Sequence, residues 1–302
     1  MFRKIIAAII STLLITAFSM TAFAAQDYEI HTNYGPGMPL FFDGEEVLML
    51  APRGMGQNMS FVITTKNGSV VVIDGGITDD TEYLKKKLQE KGGHVAAWFI
   101  SHPHNDHAGA LNEILKSGSA GLVIDRIDYH FLPPEWAYQY EPYRAIFAEE
   151  LRANIGKSGV GQIMHKGDVI TIDSVRFEVM NDPYQLEHTT INNSSVVLRA
   201  TAGNSRILFL GDLGEDGGNL FLAEHAGEDL HAELVQMAHH GQSGVGRNVY
   251  EAIRPSACMW CAPASIYDDT SGKFRTAEVR GWMKELGVKI NFCVKNGDCM
   301  IR

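Results

Sequence analysis

The sequence predicts an α/β fold in a single domain that follows a removable amino-terminal segment. Short apolar runs of strand length recur along the chain, and segments with helical apolar spacing lie between them, which is the pattern of an α/β protein. No Pro-rich, Ser-rich or highly charged linker and no internal repeat interrupts residues 25–302. We therefore expect one domain of about 278 residues over this range.

The amino terminus has the pattern of a secretory signal peptide. A basic head precedes an apolar run over residues 5–18 and small residues spaced as Ala22-x-Ala24. About 14 apolar residues are too few to span a bilayer comfortably, which disfavours a membrane anchor. We predict a signal peptide over residues 1–24, cleaved after Ala24 or Ala25. The mature chain would then have no transmembrane span and would be secreted or held in the cell envelope.

The first half of the domain begins with a run of strands. Apolar segments over residues 46–50, 59–64 and 69–73 predict three strands, and an Asn-Gly turn before the third predicts a hairpin. Residues 81–90 have the spacing of a helix with a polar face. The apolar run over residues 95–100 follows two glycines and predicts a buried strand.

Four potential metal ligands follow that strand within six residues. In the segment Ser-His-Pro-His-Asn-Asp-His-Ala-Gly, residues 101–109, His102 and His104 alternate along extended backbone and can face one cation. Asp106 and His107 lead into a helical pattern, diverge from the first pair and can hold a second cation. Imidazole and carboxylate together suit zinc, or manganese or iron, better than calcium or magnesium. Isolated structural histidines have no reason to cluster at ligand spacing, so the segment predicts a metal site.

The motif His-x-His-x-Asp-His after an apolar strand resembles the defining motif of the metallo-β-lactamase fold hydrolases. The resemblance implies a four-layer αββα sandwich with one or two metal ions between the tops of two sheets. It also implies that Asp74, which closes the strand over residues 69–73, orients the histidine segment by hydrogen bonds, as partners of metal-binding histidines usually do. The alternative for Asp74 is a simple turn before two glycines.

The segment over residues 132–143 combines four large aromatic side chains with two acids and three prolines. It predicts an ordered loop, and the favoured interpretation is a packed cap over the sheet ends. The alternative is a lid, in which the faces of Trp136 and the tyrosines hold a cationic or ring-shaped ligand.

The second half departs from the family pattern at one position. Most members supply a further metal histidine just before the next strand, whereas this chain has Asn193, Ser194 and Ser195 there. Asparagine and serine are poor zinc ligands, so the first metal would hold His102, His104 and a shared aspartate, with water filling the gap. His188, a few residues upstream, is an alternative ligand.

The resemblance assigns the remaining ligands to two strand ends. Asp212 follows an apolar strand and a glycine, as does the family's bridging carboxylate, although it could instead cap the helix over residues 219–224. His240 is the favoured last ligand of the second metal, with Asp106, His107 and Asp212. His239 would then face the substrate and donate a proton or stabilise an oxyanion, while the reverse assignment of the two histidines stays open.

His165 has no partner nearby in sequence, which indicates a surface residue. The other predicted elements are strands over residues 126–131, 162–170, 175–180, 196–199, 206–210, 234–238 and 258–261, helices over 148–155 and 276–286, and a closing hairpin over 288–300.

Four cysteines in an exported chain suggest disulfides. Cys258 and Cys261 have half of a zinc-ribbon spacing, but the second pair, Cys293 and Cys299, lacks it. That pair flanks a Lys-Asn-Gly turn signal. A three-residue loop would place the two cysteines opposite each other and a two-residue loop would not, so the connectivity stays open.

The expected reaction is hydrolysis by a metal-activated water. Two cations bridged by Asp212 would bring the pKa of a bound water close to neutrality, which makes hydroxide the nucleophile, with Asp106 and His239 as the catalytic side chains. A metal pair also stabilises charge on the attacked and departing oxygens, which favours a phosphoester substrate and predicts a phosphodiesterase.

The substrate classes differ in how well they fit. β-Lactams fit least, because enzymes of that type generally keep the missing histidine and do not use a bridging aspartate. Asn193 to Ser195, the Gly-Asp strand end and His239-His240-Gly241 resemble the hydrolase domain of competence proteins that act on DNA. The formal charge of −10 disfavours nucleic acid. A phosphodiester at the cell surface fits better, given the similar ligand pattern of phosphorylcholine esterases. A non-catalytic metal-binding module of the same fold is the alternative outside enzymology.

Overall fold

The computed structural model describes residues 29–31 and 38–302, and the predicted signal peptide over residues 1–24 lies outside them. Within these ranges the chain forms three sheets and a set of helices that mostly follow strands. No helix among them is long and apolar enough to cross a membrane. The strands are β1 (Glu29–His31), β2 (Glu46–Met49), β3 (Ser60–Thr64), β4 (Val70–Asp74), β5 (His94–Val95), β6 (Ala97–Phe99), β7 (Val123–Ile124), β8 (Ile127–Tyr129), β9 (Gly161–Ile163), β10 (Val169–Ile172), β11 (Val175–Val179), β12 (Leu198–Ala202), β13 (Ser205–Phe209), β14 (Leu234–Gln236), β15 (Ala257–Trp260), β16 (Ile290–Cys293) and β17 (Cys299–Ile301). The helices are α1 (Thr81–Glu90), α2 (Asn105–Lys116), α3 (Pro134–Tyr140), α4 (Pro142–Ser158), α5 (Thr190–Asn193), α6 (Glu215–Glu224), α7 (Arg247–Ile253), α8 (Ala264–Tyr267) and α9 (Thr276–Glu285).

Two large sheets face each other. One has the order β1-β16-β15-β14-β13-β12-β11-β10 and the other the order β17-β2-β3-β4-β6-β8-β9, while β5 and β7 form a separate pair. Aromatic rings from the two sheets meet in the space between them: the rings of Phe61 and Phe209 are 5.0 Å apart, centroid to centroid, and those of Phe99 and Phe177 are 4.9 Å apart. The inter-sheet space is therefore a packed apolar core.

Helices cover the outer faces of both sheets. Leu84 of α1, Leu111 of α2 and Leu151 of α4 pack with the outward side chains of the seven-stranded sheet. Phe221 of α6 and Val249 of α7 do the same on the eight-stranded sheet. The four layers confirm the predicted αββα sandwich.

The parallel strands in the middle of each sheet place the loops that carry the histidines and acids. β4 and β6 run parallel, and so do β13 and β14, so the carboxyl ends of each pair lie at the same edge of their sheet. In α/β proteins this edge is where ligands bind. The segments after β6, β13 and β14 are the ones in which the sequence predicted metal ligands, and β4 ends at Asp74, which was predicted to orient them.

Two predicted elements differ from those in the structure. The single strand predicted over residues 162–170 is two strands, β9 and β10, which belong to different sheets. The aromatic segment over residues 132–143 is not a loop, because Pro134 and Pro142 each begin a helix. Proline suits a first helical position, since its φ is already helical and the amide that it lacks would have no partner there.

The predicted closing hairpin over residues 288–300 was also wrong, and so were the disulfides. β16 pairs with β15 in one sheet and β17 with β2 in the other, so the intervening turn carries the chain across the sandwich. Cys258 and Cys293 pack under the outer helices, whereas Cys261 and Cys299 face the inter-sheet core. All four are buried thiols. The turn signal was read correctly as a turn, but local sequence does not say which sheet the next strand joins.

Candidate metal centre

Asp74 organises the segment that carries the histidines. This last residue of β4 has a positive φ of 64° and is 1% exposed. One carboxylate oxygen accepts the backbone N–H of Ser101 at 2.8 Å, and the other lies 2.8 Å from Nδ1 of His107 and 3.0 Å from the Ser101 hydroxyl. The carboxylate therefore fixes both the start of the loop after β6 and the orientation of the His107 ring.

The loop after β6 and the first turn of α2 present three buried histidines to one place. The His102 and His104 rings lie 4.7 Å apart, and the His102 and His107 rings 4.1 Å apart. Nδ1 of His102 is 3.1 Å from the Ser101 hydroxyl and 3.2 Å from the Ser195 hydroxyl, which leaves Nε2 facing the other side chains. His102 and His107 are fully buried.

Asp212 enters this cluster from the opposite sheet. It follows β13 and Gly211, whose φ is 56° and whose position has no room for a side chain, since a Cβ would lie 2.8 Å from the Ser195 hydroxyl. The Asp212 backbone N–H donates to that hydroxyl at 3.0 Å. One carboxylate oxygen, Oδ1, lies 3.1 Å from Nε2 of His107, and the other lies 3.9 Å from Nε2 of His102.

The twin histidines sit on a turn, Ala238–Gly241, in which both have positive φ, 51° for His239 and 55° for His240. His240 is fully buried, and its Nε2 lies 3.2 Å from Oδ2 of Asp106 and 3.9 Å from Oδ2 of Asp212. His239 is 21% exposed, with Nε2 3.7 Å from Oδ2 of Asp212 and Nδ1 3.1 Å from the Ser243 hydroxyl. His240 is thus the inward ring and His239 the one at the mouth of the site.

The hydrogen bonds fix the tautomers of two rings. Nδ1 of His240 faces the Cys261 carbonyl at 2.8 Å, so it must carry the proton, because a carbonyl only accepts. Nδ1 of His107 likewise faces the Asp74 carboxylate. In each neutral ring the lone pair at Nε2 therefore points at a carboxylate, that of Asp106 or that of Asp212. Such a pair is repulsive unless a proton or a metal cation lies between the two atoms.

Buried polar atoms without a hydrogen-bond partner test whether a cation fits. Such atoms are costly in a folded protein and usually have an explanation. Among the described residues they include Nε2 of His102, His104, His107 and His240 and Oδ1 of Asp212. At this centre the ligand atoms form two groups of three, and within each group they lie within 4.8 Å of one another. The first group is His102, His107 and Asp212, and the second is Asp106, His107 and His240. The donor set of imidazole and carboxylate suits zinc, iron or manganese.

The pKa values of the four histidines also indicate that the cluster can bind a cation. Burial lowers the pKa of His102 well below its ordinary value and that of His104 to about 4, so both rings are neutral and able to act as ligands. Burial would also lower the pKa of His107 and of His240, but the neighbouring carboxylates, Asp212 first, raise both above the ordinary value. The cluster thus stabilises positive charge at the points where each Nε2 faces a carboxylate.

The neighbouring histidines lower the pKa of both Asp106 and Asp212. Burial would raise the pKa of Asp106, but the facing ring of His240 and the charge of His107 outweigh burial and hold that pKa below its ordinary value. The pKa of Asp212 is held well below its ordinary value for similar reasons, with burial opposed by His107, His239 and His240. Both carboxyl groups are ionised at neutral pH and available to a cation.

Comparison with known proteins identifies the family. A profile of the metallo-beta-lactamase superfamily matches residues 53–242, well over half of the chain. The chain belongs to this superfamily. Among solved structures it is similar to the metallo-beta-lactamase fold protein YhfI from Bacillus subtilis, with 11% identity, a TM-score of 0.53, and coverage of 86% of this chain and 100% of that one. It is also similar to CmlA, a diiron beta-hydroxylase from Streptomyces venezuelae, with 9% identity, a TM-score of 0.57, and coverage of 88% of this chain and 55% of that one. A comparison with curated proteins found no match.

Asn193, at the position where most members of the family have a metal-binding histidine, stabilises a loop of the site. Asn193 is 2% exposed, donates to the His188 carbonyl at 2.9 Å, and accepts the backbone N–H groups of Gly214 and Gly217. It holds the loop after Asp212 and belongs to neither ligand group. The His188 side chain is exposed, and neither ligand group includes it.

The roles of two serines in orienting His102 were not predicted from the sequence. Ser101 and Ser195 come from opposite sheets, and their hydroxyls meet at Nδ1 of His102. Serine is common and its spacing carries no signal, so only the packing of the two sheets reveals this role. His104 is placed differently from the sequence prediction: its ring is beside His102, but its ligand atom falls outside both groups of three, and His107 takes part in both.

Proposed function

We propose that the chain is a metal-dependent hydrolase of phosphodiesters that acts outside the cell or in the cell envelope. The observation that carries the proposal is the position of Asp212, whose two oxygens face different histidines: Oδ1 faces His107 at 3.1 Å, and Oδ2 lies 3.9 Å from both His102 and His240. A carboxylate with this surrounding suits a pair of cations rather than a single one. Paired cations suit phosphoester cleavage because they stabilise both the attacking and the departing oxygen.

The ligands would divide between the two sheets. His102, His104, Asp106 and His107 come from the loop after β6 and the start of α2, and Asp212 and His240 come from the ends of β13 and β14. When bound, the cations supply Lewis acidity, which lowers the pKa of water and neutralises charge on a phosphoryl group. Asp74, Ser101 and Ser195 keep the rings in place, since their hydrogen bonds hold Nδ1 of His107 and of His102.

Arg144 is the feature that favours an anionic substrate. It lies near the amino-terminal end of α4 and lines a cavity of about 230 Å³ together with Gln57, Ile77, Asn105 and Asp106. Asp106 belongs to the ligand groups, so the cavity adjoins the centre. Arg144 is exposed, and no ion pair holds its guanidinium among the residues that the structure describes. Arginine binds phosphate oxygens in a bidentate manner, so we assign Arg144 to a non-bridging oxygen or a terminal group of the substrate.

His239 would act at the scissile bond. Nδ1 of His239 is placed to accept the Ser243 hydroxyl at 3.1 Å, and in that arrangement the ring would carry its proton on Nε2, on the side of Asp212. An N–H at this point stabilises negative charge on a phosphoryl oxygen or on the departing oxygen. In the overall reaction the oxygen of water bonds to phosphorus, the bond to the leaving oxygen breaks, and that oxygen takes up a proton.

The test begins with the mature chain loaded with zinc, iron or manganese in separate preparations, because CmlA is described as a diiron protein and the ligand set does not discriminate. Each preparation is offered bis-p-nitrophenyl phosphate, a phosphocholine ester, single-stranded DNA and a chromogenic β-lactam. We expect turnover of the phosphodiester. Turnover of the β-lactam alone would refute the substrate class, and metal loading without turnover of any substrate would favour the non-catalytic module.

Two variants with matched controls test the roles of the site. Asp212→Asn should lower the metal content and reduce kcat/KM at least 100-fold, whereas Asp125→Asn, at an exposed ion pair, should change neither. Arg144→Ala should raise KM for the phosphodiester about 10- to 100-fold with full metal content, because a charge-assisted hydrogen bond is lost. Lys157→Ala removes one positive charge from the last turn of the same helix and should leave KM unchanged. Equal KM values for the two α4 variants would remove Arg144 from the substrate site.

A further inference from the structure

A second group of potential ligands lies apart from the centre, beside the edge strands β9 and β10 of the two sheets. His130 follows β8 of the seven-stranded sheet, Asp182 follows β11 of the eight-stranded sheet, and His165 lies between β9 and β10, where the chain passes from one sheet to the other. The ligand atoms of these three residues all lie within 4.8 Å of one another. They come from three separate segments, so sequence spacing did not reveal them.

The geometry around Asp182 is that of a coordination site. Its Oδ1 lies 3.2 Å from Nδ1 of His130 and 3.3 Å from Nδ1 of His165. Ligand atoms at about 2.0–2.1 Å from a tetrahedral zinc ion are separated by about 3.3 Å, so the observed distances match the edges of such a tetrahedron. The two imidazole rings meet edge to face, with centroids 4.8 Å apart, which lets both nitrogens point to a common position.

Hydrogen bonds within the group leave one of these atoms unexplained. Nδ1 of His165 forms a hydrogen bond with Asp182. Nδ1 of His130 is buried and has no hydrogen-bond partner in the described part of the chain. A cation between the three atoms would satisfy it. A cavity of about 360 Å³ adjoins the group and is lined by Phe131, Leu132, Pro133, Pro183 and Gln185 besides the three ligands. It leaves room for water at a fourth coordination position.

We propose that His130, His165 and Asp182 form a second metal site that takes zinc and links the two sheets at the β9 and β10 edge. Because β9 and β10 are edge strands of their sheets, a cation here would tie the two sheets together at that edge of the sandwich. The open fourth position means that the ion exchanges with solvent more readily than an ion enclosed by four protein ligands. The site does not depend on the proposed phosphodiesterase activity.

The experiment counts zinc in chains whose main centre has been disabled. The double variant His102→Ala, His107→Ala should bind one zinc ion per chain in equilibrium dialysis with free zinc, as measured by mass spectrometry of the metal on the two sides of the membrane. Adding His165→Ala should remove that ion. His165 is 60% exposed, so its replacement threatens the fold little, and Asp182→Asn provides a second variant that removes a different ligand. The control is His94→Ala, which removes an exposed histidine that pairs with Asp125 and belongs to no group of three potential ligands among the residues that the structure describes.

A thermal readout in the otherwise intact chain separates this site from the main centre. With free zinc 100-fold above Kd, a bound ion raises Tm by about 5–10 °C for a domain of this size. Zinc should raise Tm of His94→Ala further than Tm of His165→Ala, while phosphodiesterase activity stays equal in the two. Equal zinc content and equal Tm shifts in the His165, Asp182 and His94 variants would overturn the proposal. Loss of activity in all three preparations would bear on the proposed function only.

Discussion

Replacement of Asp74 by asparagine separates the orientation of a metal ligand from the shape of the site. The Asp74 carboxylate receives the Ser101 N–H at 2.8 Å on one oxygen, and the Nδ1–H of His107 at 2.8 Å and the Ser101 hydroxyl at 3.0 Å on the other. An asparagine amide has only one oxygen, so its NH2 group must face at least one of these donors. Backbone strain is not the cause of any effect, because asparagine tolerates the positive φ of 64° that Asp74 adopts.

The magnitude follows from these contacts. A buried donor left without an acceptor costs about 1–3 kcal/mol, and loss of the partner of a metal-binding histidine lowers metal affinity about 10- to 100-fold. We therefore expect Asp74→Asn to weaken zinc binding by about 1.4–2.7 kcal/mol, which is the same factor in energy units. The assay is competition with a chelator of known affinity at pH 7, with bis-p-nitrophenyl phosphate turnover at saturating zinc measured in parallel.

A matched control distinguishes this effect from general loss of a buried charge. Asp128 of β8 is also 1% exposed and pairs with Arg126 through two hydrogen bonds of 2.6 and 2.7 Å. Asp128→Asn should lower the free energy of unfolding yet leave zinc affinity unchanged, since the described contacts of its carboxylate involve no ligand of the centre. Zinc affinity of Asp74→Asn within twofold of the wild type would refute the reasoning.

Three further predictions follow from the same structure. His240→Ala should lose bound metal, whereas His239→Ala should keep it and lose about 100- to 1,000-fold in kcat, and metal analysis with steady-state kinetics would expose a reversed assignment. Gly211→Ala should lower the free energy of unfolding by about 1–3 kcal/mol, because the residue has a φ of 56° and a Cβ would meet Ser195, and urea unfolding without such a loss would contradict this. Burial would raise the pKa of Glu178, but two arginines outweigh it and lower that pKa below its ordinary 4.5, so the stabilisation is present above pH 4.5 and is lost as the pH falls through the lowered value. Glu178→Gln should thus destabilise the fold by less than about 1 kcal/mol at pH 7, with the difference from the wild type shrinking below pH 4.5; a constant difference between pH 7 and pH 3 would refute the assignment.

The sequence predicted the parts of the site that are local in the chain. The segment from His102 to His107 is recognisable in the sequence because four potential ligands lie within six positions after an apolar strand. The strand ends at Asp74 and Asp212 were also predicted, since apolar runs of strand length stop there.

The features that the sequence did not predict are contacts between segments that lie far apart in the chain. The turn after Cys293 was evident, but the choice of the opposite sheet for β17 depends on the exposed edge of β2, far away in the chain. The meeting of Ser101 with Ser195, and of His130 with Asp182, depends on how the two sheets pack against each other. Side chains that lack a sequence signature, such as Arg144, become visible only through the cavity that they line.

Backbone strain is concentrated where the metal ligands converge. Of the seven non-glycine residues with positive φ in the described part of the chain, three are Asp74, His239 and His240. Each such conformation costs about 1–3 kcal/mol and persists only where the surroundings fix it. Here the surroundings are two sheets whose interdigitated aromatic core does not include these residues. His240 combines a strained backbone with an unpartnered Nε2, and the strained Asp74 orients His107, so the site is arranged for a cation at the expense of the stability of the metal-free chain. Metal binding should therefore contribute to folding stability as well as to chemistry, which links the two properties at the same atoms.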